Sequence, residues 1–326
     1  MDSVFITRRI PQKGLDLLED VVEKTIWPGD LPPSKEQMIE AVREVDGLLC
    51  LLTDPVDAEV IAAAPKLRVI SNYAVGFDNI DISEAVRRGI PVGNTPGVLT
   101  ETTADFAFAL LCAAARRVVE ADRFVRVGKW QTWGPRLLLG ADLWGATLGI
   151  VGFGRIGQAL ARRAQGFQMK VLFTDPAEVQ ILPDQPGVLR QVDLDTLLQE
   201  SDFVSLHTPL TEQTHHLMNQ ERFALMKPTA VLVNTARGAV VDSHALYHAL
   251  LDGTIAAAAL DVTEPEPMPG DFPLLLLDNL IVTPHIASAS VTARNRMAVI
   301  AAENLLAGLK GERLPFCANP QVYDQV

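Results

Sequence analysis

The chain has 326 residues, more than one hydrophobic core usually serves, so we expect two domains. Its 40 acidic and 28 basic residues give a formal net charge of −12. This charge argues against a nucleic-acid-binding surface, because phosphate contacts need a basic face. No apolar run approaches the roughly 20 residues of a membrane span. We therefore expect neither nucleic acid nor a membrane as a partner.

The three cysteines, Cys50, Cys112 and Cys317, are far apart and lack the spacing of a metal site. Unpaired thiols of this kind are typical of a reducing compartment. The chain enters a strand-like run at Val4 and has no signal-peptide pattern before it. We expect a cytoplasmic protein without a metal site.

Residues 1–95 alternate short apolar runs with amphipathic segments, a pattern typical of a flavodoxin-like doubly wound α/β unit. The predicted strands are 4–7, 47–51, 69–72 and 91–93, and the predicted helices are 11–18, 34–45, 58–63 and 82–88. Thr95-Pro96-Gly97 then interrupts the pattern. A long helix is predicted next, from about residue 101 to residue 128. Its apolar residues occupy more than one face, which predicts a homodimer interface.

A second α/β unit follows this helix. Its predicted strands are 147–151, 170–173, 203–206, 230–234, 256–260 and 280–283, and six parallel strands suit a Rossmann sheet. Residues 288–309 have helical periodicity and would return the chain to the first unit. The predicted fold class is therefore α/β with two doubly wound parallel-sheet domains. A Rossmann domain, residues 98–288, is inserted into a flavodoxin-like domain, residues 1–97 and 289–326.

A glycine-rich motif, Gly152-x-Gly154-x-x-Gly157, follows the strand at 147–151 and opens a helix-forming run. The glycines permit a tight turn, close approach of the backbone to a pyrophosphate and close packing of helix on strand. The helix N-terminus then presents free N–H groups to the phosphates. Asp175 ends the next strand, 18 residues beyond Gly157. A carboxylate there accepts hydrogen bonds from a ribose and repels a 2′-phosphate, which predicts NAD rather than NADP.

The residues around Asp175 favour the same cofactor. Pro176, Ala177 and Glu178 supply no cation for a 2′-phosphate, and Arg155 of the motif is expected to serve the pyrophosphate. The alternative interpretation is a glycine-rich turn in an ordinary α/β domain. The order of strand, glycines, helix, strand and acid favours the dinucleotide site.

Arg237, Glu266 and His285 lie just after predicted strands of the second unit. Ligands of open parallel sheets bind outside the carboxyl ends of the strands, so these side chains should lie on the pyrophosphate side. Hydride transfer to a carbonyl carbon requires a proton donor, a role that suits His285. Glu266 beside it would favour the imidazolium, and Arg237 could bind a substrate carboxylate through a forked contact. Taken singly, they could be a structural histidine, a surface arginine and a solvated acidic loop; their joint placement favours catalysis.

Several segments resemble one family over essentially the whole chain, the D-isomer-specific 2-hydroxyacid dehydrogenases. They are VGFGRIGQALARR, VNTARGAVVDSHAL, ALDVTEPEP and VTPHIASAS, with NYAVGFDNID and TPGVLTETTADFAFAL upstream. The resemblance implies that Arg237, Glu266 and His285 are catalytic and that the first domain binds substrate. The substrate-binding residues that it implies are Leu52, Val75, Gly76 and Trp133, with the backbone at 75–76 holding the substrate carboxylate. The cofactor-binding residues that it implies are Thr103, Gly152, Gly154, Arg155, Ile156, Gly157, Asp175, His207, Thr208, Pro209, Thr214, Thr235, Ala236, Asp261 and Ala287.

Within the family, the chain is most similar to glyoxylate/hydroxypyruvate reductases, through LLCLLTDPVD, the pair Trp130 and Trp133, and DVTEPEP. This similarity implies reduction of small 2-keto acids with NADH. It also implies a homodimer in which the tryptophan loop crosses to the partner subunit, where one tryptophan can reach the active site. Two alternatives stay open. Phosphite dehydrogenase shares the catalytic residues but has a lysine where this chain has Val75, and non-enzymatic NAD sensors similar to the C-terminal-binding-protein corepressors also retain them.

Overall fold

A computed structural model of the protein describes residues 1–177, 179 and 189–325. The described chain divides into two compact units, residues 1–99 with 289–326 and residues 100–288. The sequence predicts boundaries after residues 97 and 288, and the first of them lies two residues later in the structure.

The first unit contains, within the described residues, a five-stranded parallel sheet in the order β2-β1-β3-β4-β5. The strands are β1 (Ser3–Ile6), β2 (Glu23–Ile26), β3 (Gly47–Cys50), β4 (Val69–Asn72) and β5 (Val92–Gly93). Its helices are α1 (Gln12–Leu18), α2 (Lys35–Val42), α3 (Ala58–Ala62), α4 (Ile82–Arg87) and α11 (Val291–Leu309). Strand β2 is absent from the sequence prediction. It lies at the sheet edge and none of its residues is fully buried, so it has no continuous apolar run.

Helix α11 belongs to the first unit although it follows the second in sequence. The side chain of Ser290 caps its N-terminus by accepting a hydrogen bond from the backbone N–H of Ala293. The Ser71 hydroxyl of β4 donates to the Ala301 carbonyl oxygen at 2.7 Å, and the Tyr73 hydroxyl donates to the Arg294 carbonyl oxygen at 2.8 Å. These contacts attach the returning helix to β4 and to the start of the loop at 73–79, which follows β4.

The second unit contains a parallel sheet in the order β12-β11-β10-β9-β6-β7-β8, seven strands within the described residues. The strands are β6 (Thr147–Val151), β7 (Lys170–Thr174), β8 (Leu189–Gln191), β9 (Phe203–Leu206), β10 (Val231–Asn234), β11 (Ala257–Leu260) and β12 (Leu280–Val282). Its helices are α5 (Thr100–Ala115), α6 (Val118–Arg126), α7 (Arg155–Ala164), α8 (Leu194–Glu200), α9 (Gln220–Leu225) and α10 (Ser243–Leu251). The predicted count of six strands was wrong because the edge strand β8 is short and partly or fully exposed. The predicted fold class, two parallel-sheet α/β domains, is confirmed.

The single helix predicted over residues 101–128 is two helices, α5 and α6. Arg117 has a left-handed backbone, with φ of 53°, which ends the first helix and begins the second. The backbone N–H of Ala141 donates to the Ala115 carbonyl oxygen at 2.9 Å, so a distant segment packs against the end of α5. Helix α5 has buried residues along its length, whereas no residue of α6 is buried. No helix among the described residues is long and apolar enough to span a membrane.

Candidate active site

The glycine-rich turn joins β6 to α7 with little room for side chains. Gly152 has φ of 88°, and a Cβ built on it would lie 2.7 Å from the backbone carbon of His207. A Cβ on Gly157 would lie 2.3 Å from the carbonyl oxygen of Gly152. By contrast, a Cβ on Gly154 would meet no atom within 4 Å, and Gly154 is exposed. The turn is therefore tight on the protein side and open where a ligand would approach.

Asp175 holds this turn in place from the end of β7. Its Oδ2 accepts the backbone N–H of Phe153 at 2.7 Å, and its Oδ1 accepts that of Ala177 at 2.9 Å. Each carboxylate oxygen keeps a second acceptor site for a ligand hydroxyl. Pro176 and Ala177 are exposed, as is Arg155 at the start of α7, whereas Glu178 lies outside the described residues.

Arg237, Glu266 and His285 follow β10, β11 and β12, which are neighbours in the sheet. The turn that carries Arg237 is fixed by Asn234, whose side-chain amide donates to the Arg237 carbonyl oxygen at 2.8 Å. A Cβ on Gly238 would lie 1.9 Å from the Thr263 carbonyl oxygen, so this turn packs directly against the loop that carries Glu266. The structure thus places the three predicted residues at the carboxyl ends of adjacent strands.

His285 and Glu266 form a direct pair. Nδ1 of His285 lies 2.5 Å from Oε1 of Glu266, and the two side chains are 24% and 32% exposed. The contact fixes the ring orientation and leaves Nε2 as the atom that can exchange a proton with a ligand.

The backbone around His285 is held by Asp261. This residue is 1% exposed, and its carboxylate accepts hydrogen bonds from the Thr283 hydroxyl at 2.6 Å, the Ile286 N–H at 2.9 Å and the Ala287 N–H at 2.7 Å. Its carbonyl oxygen also accepts the backbone N–H of His285 at 2.8 Å. His285 has a left-handed φ of 54°, which these contacts hold in place. Asp261 therefore positions His285, a function that the sequence did not reveal.

The other cofactor residues implied by the resemblance lie in the same unit. Nε2 of His207 lies 2.8 Å from the Ser205 hydroxyl, and burial lowers the pKa of His207 to about 4. The ring is therefore neutral at physiological pH. The Thr214 hydroxyl donates to the Pro209 carbonyl oxygen at 2.6 Å, which shapes the loop that also contains Thr208. Thr103 lies on α5 and Ala236 in the turn before Arg237.

The substrate residues implied in the first unit lie on two loops joined by asparagine side chains. The amide of Asn79 donates to the carbonyl oxygens of Leu51 at 3.1 Å and Asp54 at 3.0 Å, on the loop that contains Leu52. Asn72 donates to the Gly76 carbonyl oxygen at 3.0 Å and to Oδ1 of Asn79 at 3.0 Å. The loops at 51–54 and 75–79 are therefore one hydrogen-bonded assembly.

The carbonyl of Val75 is held in the same way, because the Asn94 amide donates to it at 2.8 Å. With both carbonyls engaged, the N–H groups of Val75 and Gly76 are the backbone groups of these two residues that remain to bind a carboxylate. Trp133, the fourth implied substrate residue, lies in the second unit, where its side chain is 78% exposed.

Comparisons with known proteins agree with this geometry. The family model described as D-isomer specific 2-hydroxyacid dehydrogenase, NAD binding domain, matches residues 108–287. A glyoxylate reductase of Korarchaeum cryptofilum (strain OPF8) is 58% identical over 320 residues, covering 98% of this chain and 96% of its own. The chain belongs to the D-isomer specific 2-hydroxyacid dehydrogenases.

Further relatives match this 2-hydroxyacid dehydrogenase over nearly the whole length of both chains. A glyoxylate reductase of Thermococcus litoralis is 52% identical and covers 98% of this chain and 97% of its own. The solved structure of the TT0316 protein from Thermus thermophilus superimposes with a TM-score of 0.91 at 49% identity, covering 97% of this chain and 99% of that one. The predicted family is confirmed.

The residues of this dehydrogenase fit a dinucleotide. Gly154 stands open at the N-terminus of α7, whose first N–H groups have no partner within the helix. The hydroxyl of Thr235 is buried and has no hydrogen-bond partner within the described residues. Such an orphaned donor next to Ala236 and Arg237 indicates a place for a polar ligand group.

Sequence reasoning missed the residues that support the site rather than face it. Asn72, Asn79 and Asn94 position the substrate loops, and Asp54, fully buried, accepts the backbone N–H of Leu51 at 2.7 Å. Each is part of a segment already quoted for the family or adjacent to one. Asn72 and Asn94 are buried at or next to the ends of β4 and β5, and a buried polar residue at a strand end was the signal that could have identified them.

Proposed function

We propose that this dehydrogenase reduces small 2-keto acids, namely glyoxylate and hydroxypyruvate, to 2-hydroxy acids with NADH. The observation that supports this most directly is the 2.5 Å contact between His285 and Glu266, a proton donor beside its carboxylate. The names of the relatives at 58% and 52% identity point to the same reaction. NADH supplies the hydride when it is bound.

Residues of the chain bind the substrate and supply the proton. Arg237 binds the substrate carboxylate and draws electron density toward the carbonyl oxygen. Negative charge develops on that oxygen as the carbon is reduced, and Nε2 of His285 protonates it. Glu266 holds the His285 ring in the orientation for this transfer, and we assign the N–H groups at Val75 and Gly76 to substrate binding.

The charge of the substrate loop favours a carboxylate over phosphite. Val75 stands where phosphite dehydrogenases have lysine, and its carbonyl is occupied by the Asn94 amide. A doubly charged oxyanion costs more to remove from water than a carboxylate, and neutral N–H groups alone do not balance its charge. We therefore assign residues 1–97 and 289–326 to substrate binding and residues 98–288 to the dinucleotide.

NADH is the proposed cofactor because of Asp175. Its carboxylate lies at the end of β7 with acceptor capacity left for ribose hydroxyls, and it would repel a 2′-phosphate. The exposed Pro176 and Ala177 beside it offer no positive charge.

A homodimer in the cytoplasm completes the proposal. Several large apolar residues in the segment from α6 to residue 144 are at least 50% exposed: Val118, Val125, Trp130, Trp133 and Trp144. Exposed apolar residues grouped in one segment are typical of an interaction surface. Trp133 is proposed to reach the partner subunit's active site. Free thiols at Cys50, Cys112 and Cys317 suit a reducing compartment.

A substrate panel tests the proposal. NADH oxidation is measured with glyoxylate, hydroxypyruvate and pyruvate, and NAD reduction is measured with phosphite. We expect turnover with the first two, and Arg237→Ala should lose at least a hundredfold in kcat/KM while the protein stays folded, about 2.7 kcal/mol. Turnover with phosphite alone would support the phosphite dehydrogenase alternative, and NADH binding without any turnover would support the sensor alternative.

A further inference from the structure

Two histidines and a glutamate converge on the surface of the second unit, outside the catalytic residues. Nε2 of His216 lies 2.6 Å from Oε2 of Glu264, and Nε2 of His215 lies 3.7 Å from Oε1 of the same carboxylate. One donor atom of each side chain lies within 4.8 Å of the other two. We propose that His215, His216 and Glu264 form a binding site for a divalent transition metal ion such as Zn²⁺.

The donor set fits this class of ion. Two imidazoles and one carboxylate are ligands that Zn²⁺ takes in open sites, with water in the fourth position. Imidazole donors favour Zn²⁺, Ni²⁺ and Cu²⁺ over Mg²⁺ and Ca²⁺, which prefer oxygen ligands. With Zn–N and Zn–O bonds of about 2.0–2.2 Å, tetrahedral geometry places donor atoms about 3.3 Å apart. The 3.7 Å distance from His215 to Oε1 and the 2.6 Å distance from His216 to Oε2 each differ from this value by less than 1 Å.

The two imidazole rings of the cluster are stacked on each other. The ring centroids of His215 and His216 are 4.0 Å apart and their planes meet at 26°. Both Nε2 atoms lie close to the same carboxylate, so a single bound cation can contact all three side chains. The net charge of −12 favours cation capture.

The backbone holds these ligands in place from two directions. His216 has a left-handed φ of 48°, and its N–H donates to the Ala239 carbonyl oxygen at 2.7 Å. The Ser243 hydroxyl donates to the Glu264 carbonyl oxygen at 2.8 Å. Both ligand loops are thus attached to the segment 239–243. The side chains of His215, His216 and Glu264 are 53%, 38% and 36% exposed, so an ion can enter from solvent.

The site lies apart from the proposed reaction but shares a loop with it. Glu264 precedes Glu266 by two residues, whereas His216 is 48 residues from Glu264 in sequence. A bound ion would join the loop before α9 to the loop after β11. The protein should therefore unfold at a higher temperature with Zn²⁺ present, because an ion that binds only the native state stabilises it.

Calorimetric titration of the full chain without a histidine tag, first stripped with a chelator, tests the proposal with ZnCl₂ alone. We expect about one equivalent bound, and at least tenfold weaker binding in His215→Ala, His216→Ala and Glu264→Gln. The Tm increase caused by Zn²⁺ in the wild type should disappear in the same variants. His215 contacts no proposed catalytic group, so retained reductase activity in His215→Ala verifies that the variant is folded.

Matched controls exclude other places for the ion. His244 and His248, exposed and one turn apart on α10, and the pair His285 and Glu266 are the competing donor sets. His244→Ala and His285→Asn should bind Zn²⁺ as the wild type does. Loss of binding in either control, or wild-type binding in Glu264→Gln and His216→Ala, would overturn the proposal. Because Zn²⁺ binding is measured without substrate, this result is independent of whether glyoxylate is the substrate.

Discussion

At the scale of single residues, the charge of Glu266 is the part of the site that a substitution can isolate. Glu266→Gln keeps the side-chain shape but removes the negative charge 2.5 Å from the His285 ring. The ring then loses the carboxylate that orients its Nδ1, so kcat/KM for glyoxylate should fall by at least tenfold, about 1.4 kcal/mol. The measurement is kcat/KM for glyoxylate at neutral pH. His285→Ala should be inactive, and a Glu266→Gln variant with the kcat/KM of the wild type would contradict the pairing.

Asp175 decides cofactor choice at the same scale. NADH should be preferred over NADPH by at least tenfold in kcat/KM, about 1.4 kcal/mol. Asp175→Asn keeps an acceptor for the Phe153 N–H but removes the charge, so it should narrow the preference, and adding Pro176→Arg should narrow it further. Steady-state kinetics with both cofactors measure the ratio. Equal use of NADPH by the wild type would show that Asp175 does not face the ribose.

His207 makes stability depend on pH. Burial lowers its pKa from 6.5 to about 4, so between these values the unfolded chain binds more protons than the native one. The free energy of unfolding therefore falls as pH decreases through this window, by at most about 2 kcal/mol at about pH 5. His207→Asn should lose less stability than the wild type between neutral pH and about pH 5, measured as the change in thermal midpoint. The exposed His248, changed to Asn, is the control that should behave as wild type.

At the scale of elements, the loops at 51–54 and 75–79 act together through Asn79. Asn79→Ala removes the donors to the Leu51 and Asp54 carbonyls and leaves Asn72 without one acceptor. We expect about a tenfold rise in KM for glyoxylate with kcat nearly unchanged, because substrate binding is affected rather than proton transfer. Asn319→Ala is the matched control for Asn79→Ala. Asn319 is buried and forms hydrogen bonds with the backbone of Ile90 and Val92, away from these loops. It should cost stability without changing KM, and an equal KM effect in both variants would contradict a positioning role for Asn79.

Buried strands are predictable from the sequence, whereas edge strands and a helix boundary near a distant contact are not. Strands β4, β6 and β9 match the prediction to the residue. They are buried on both faces, and strands of this kind are rich in apolar residues. Edge strands β2 and β8 were missed because their residues are partly exposed. The break between α5 and α6 lies beside a hydrogen bond from residue 141, a contact that no local pattern contains.

In the candidate site, too, some residues could be predicted from the sequence and others could not. His285 and Glu266 were predicted as neighbours because both follow strands, and the ends of parallel strands meet at one sheet edge. The positioning action of Asp261, the asparagine contacts of the substrate loops and the His215–His216–Glu264 cluster were not predicted. They join residues from loops far apart in sequence, so only the folded chain brings them together.

At the scale of the whole molecule, the exposed apolar surface from α6 to Trp144 predicts the oligomeric state. No residue of α6 is buried, and Val125 is 50% exposed, Trp130 60% and Trp133 78%. Burying this surface in a homodimer removes apolar area from water, the main favourable term in association. Light scattering at micromolar concentration should give twice the 35.4 kDa mass of the chain.

A charge in this surface should separate the subunits. Val125→Glu places a carboxylate in the proposed interface, where its desolvation opposes association, so the protein should become monomeric. Leu31→Glu is the control: Leu31 is 78% exposed but lies in the other unit, so the dimer should persist. If Trp133 reaches the partner's active site, the Val125→Glu monomer should also have a raised KM for glyoxylate. A wild-type monomer, or a Val125→Glu dimer of unchanged stability, would place the subunit contact elsewhere.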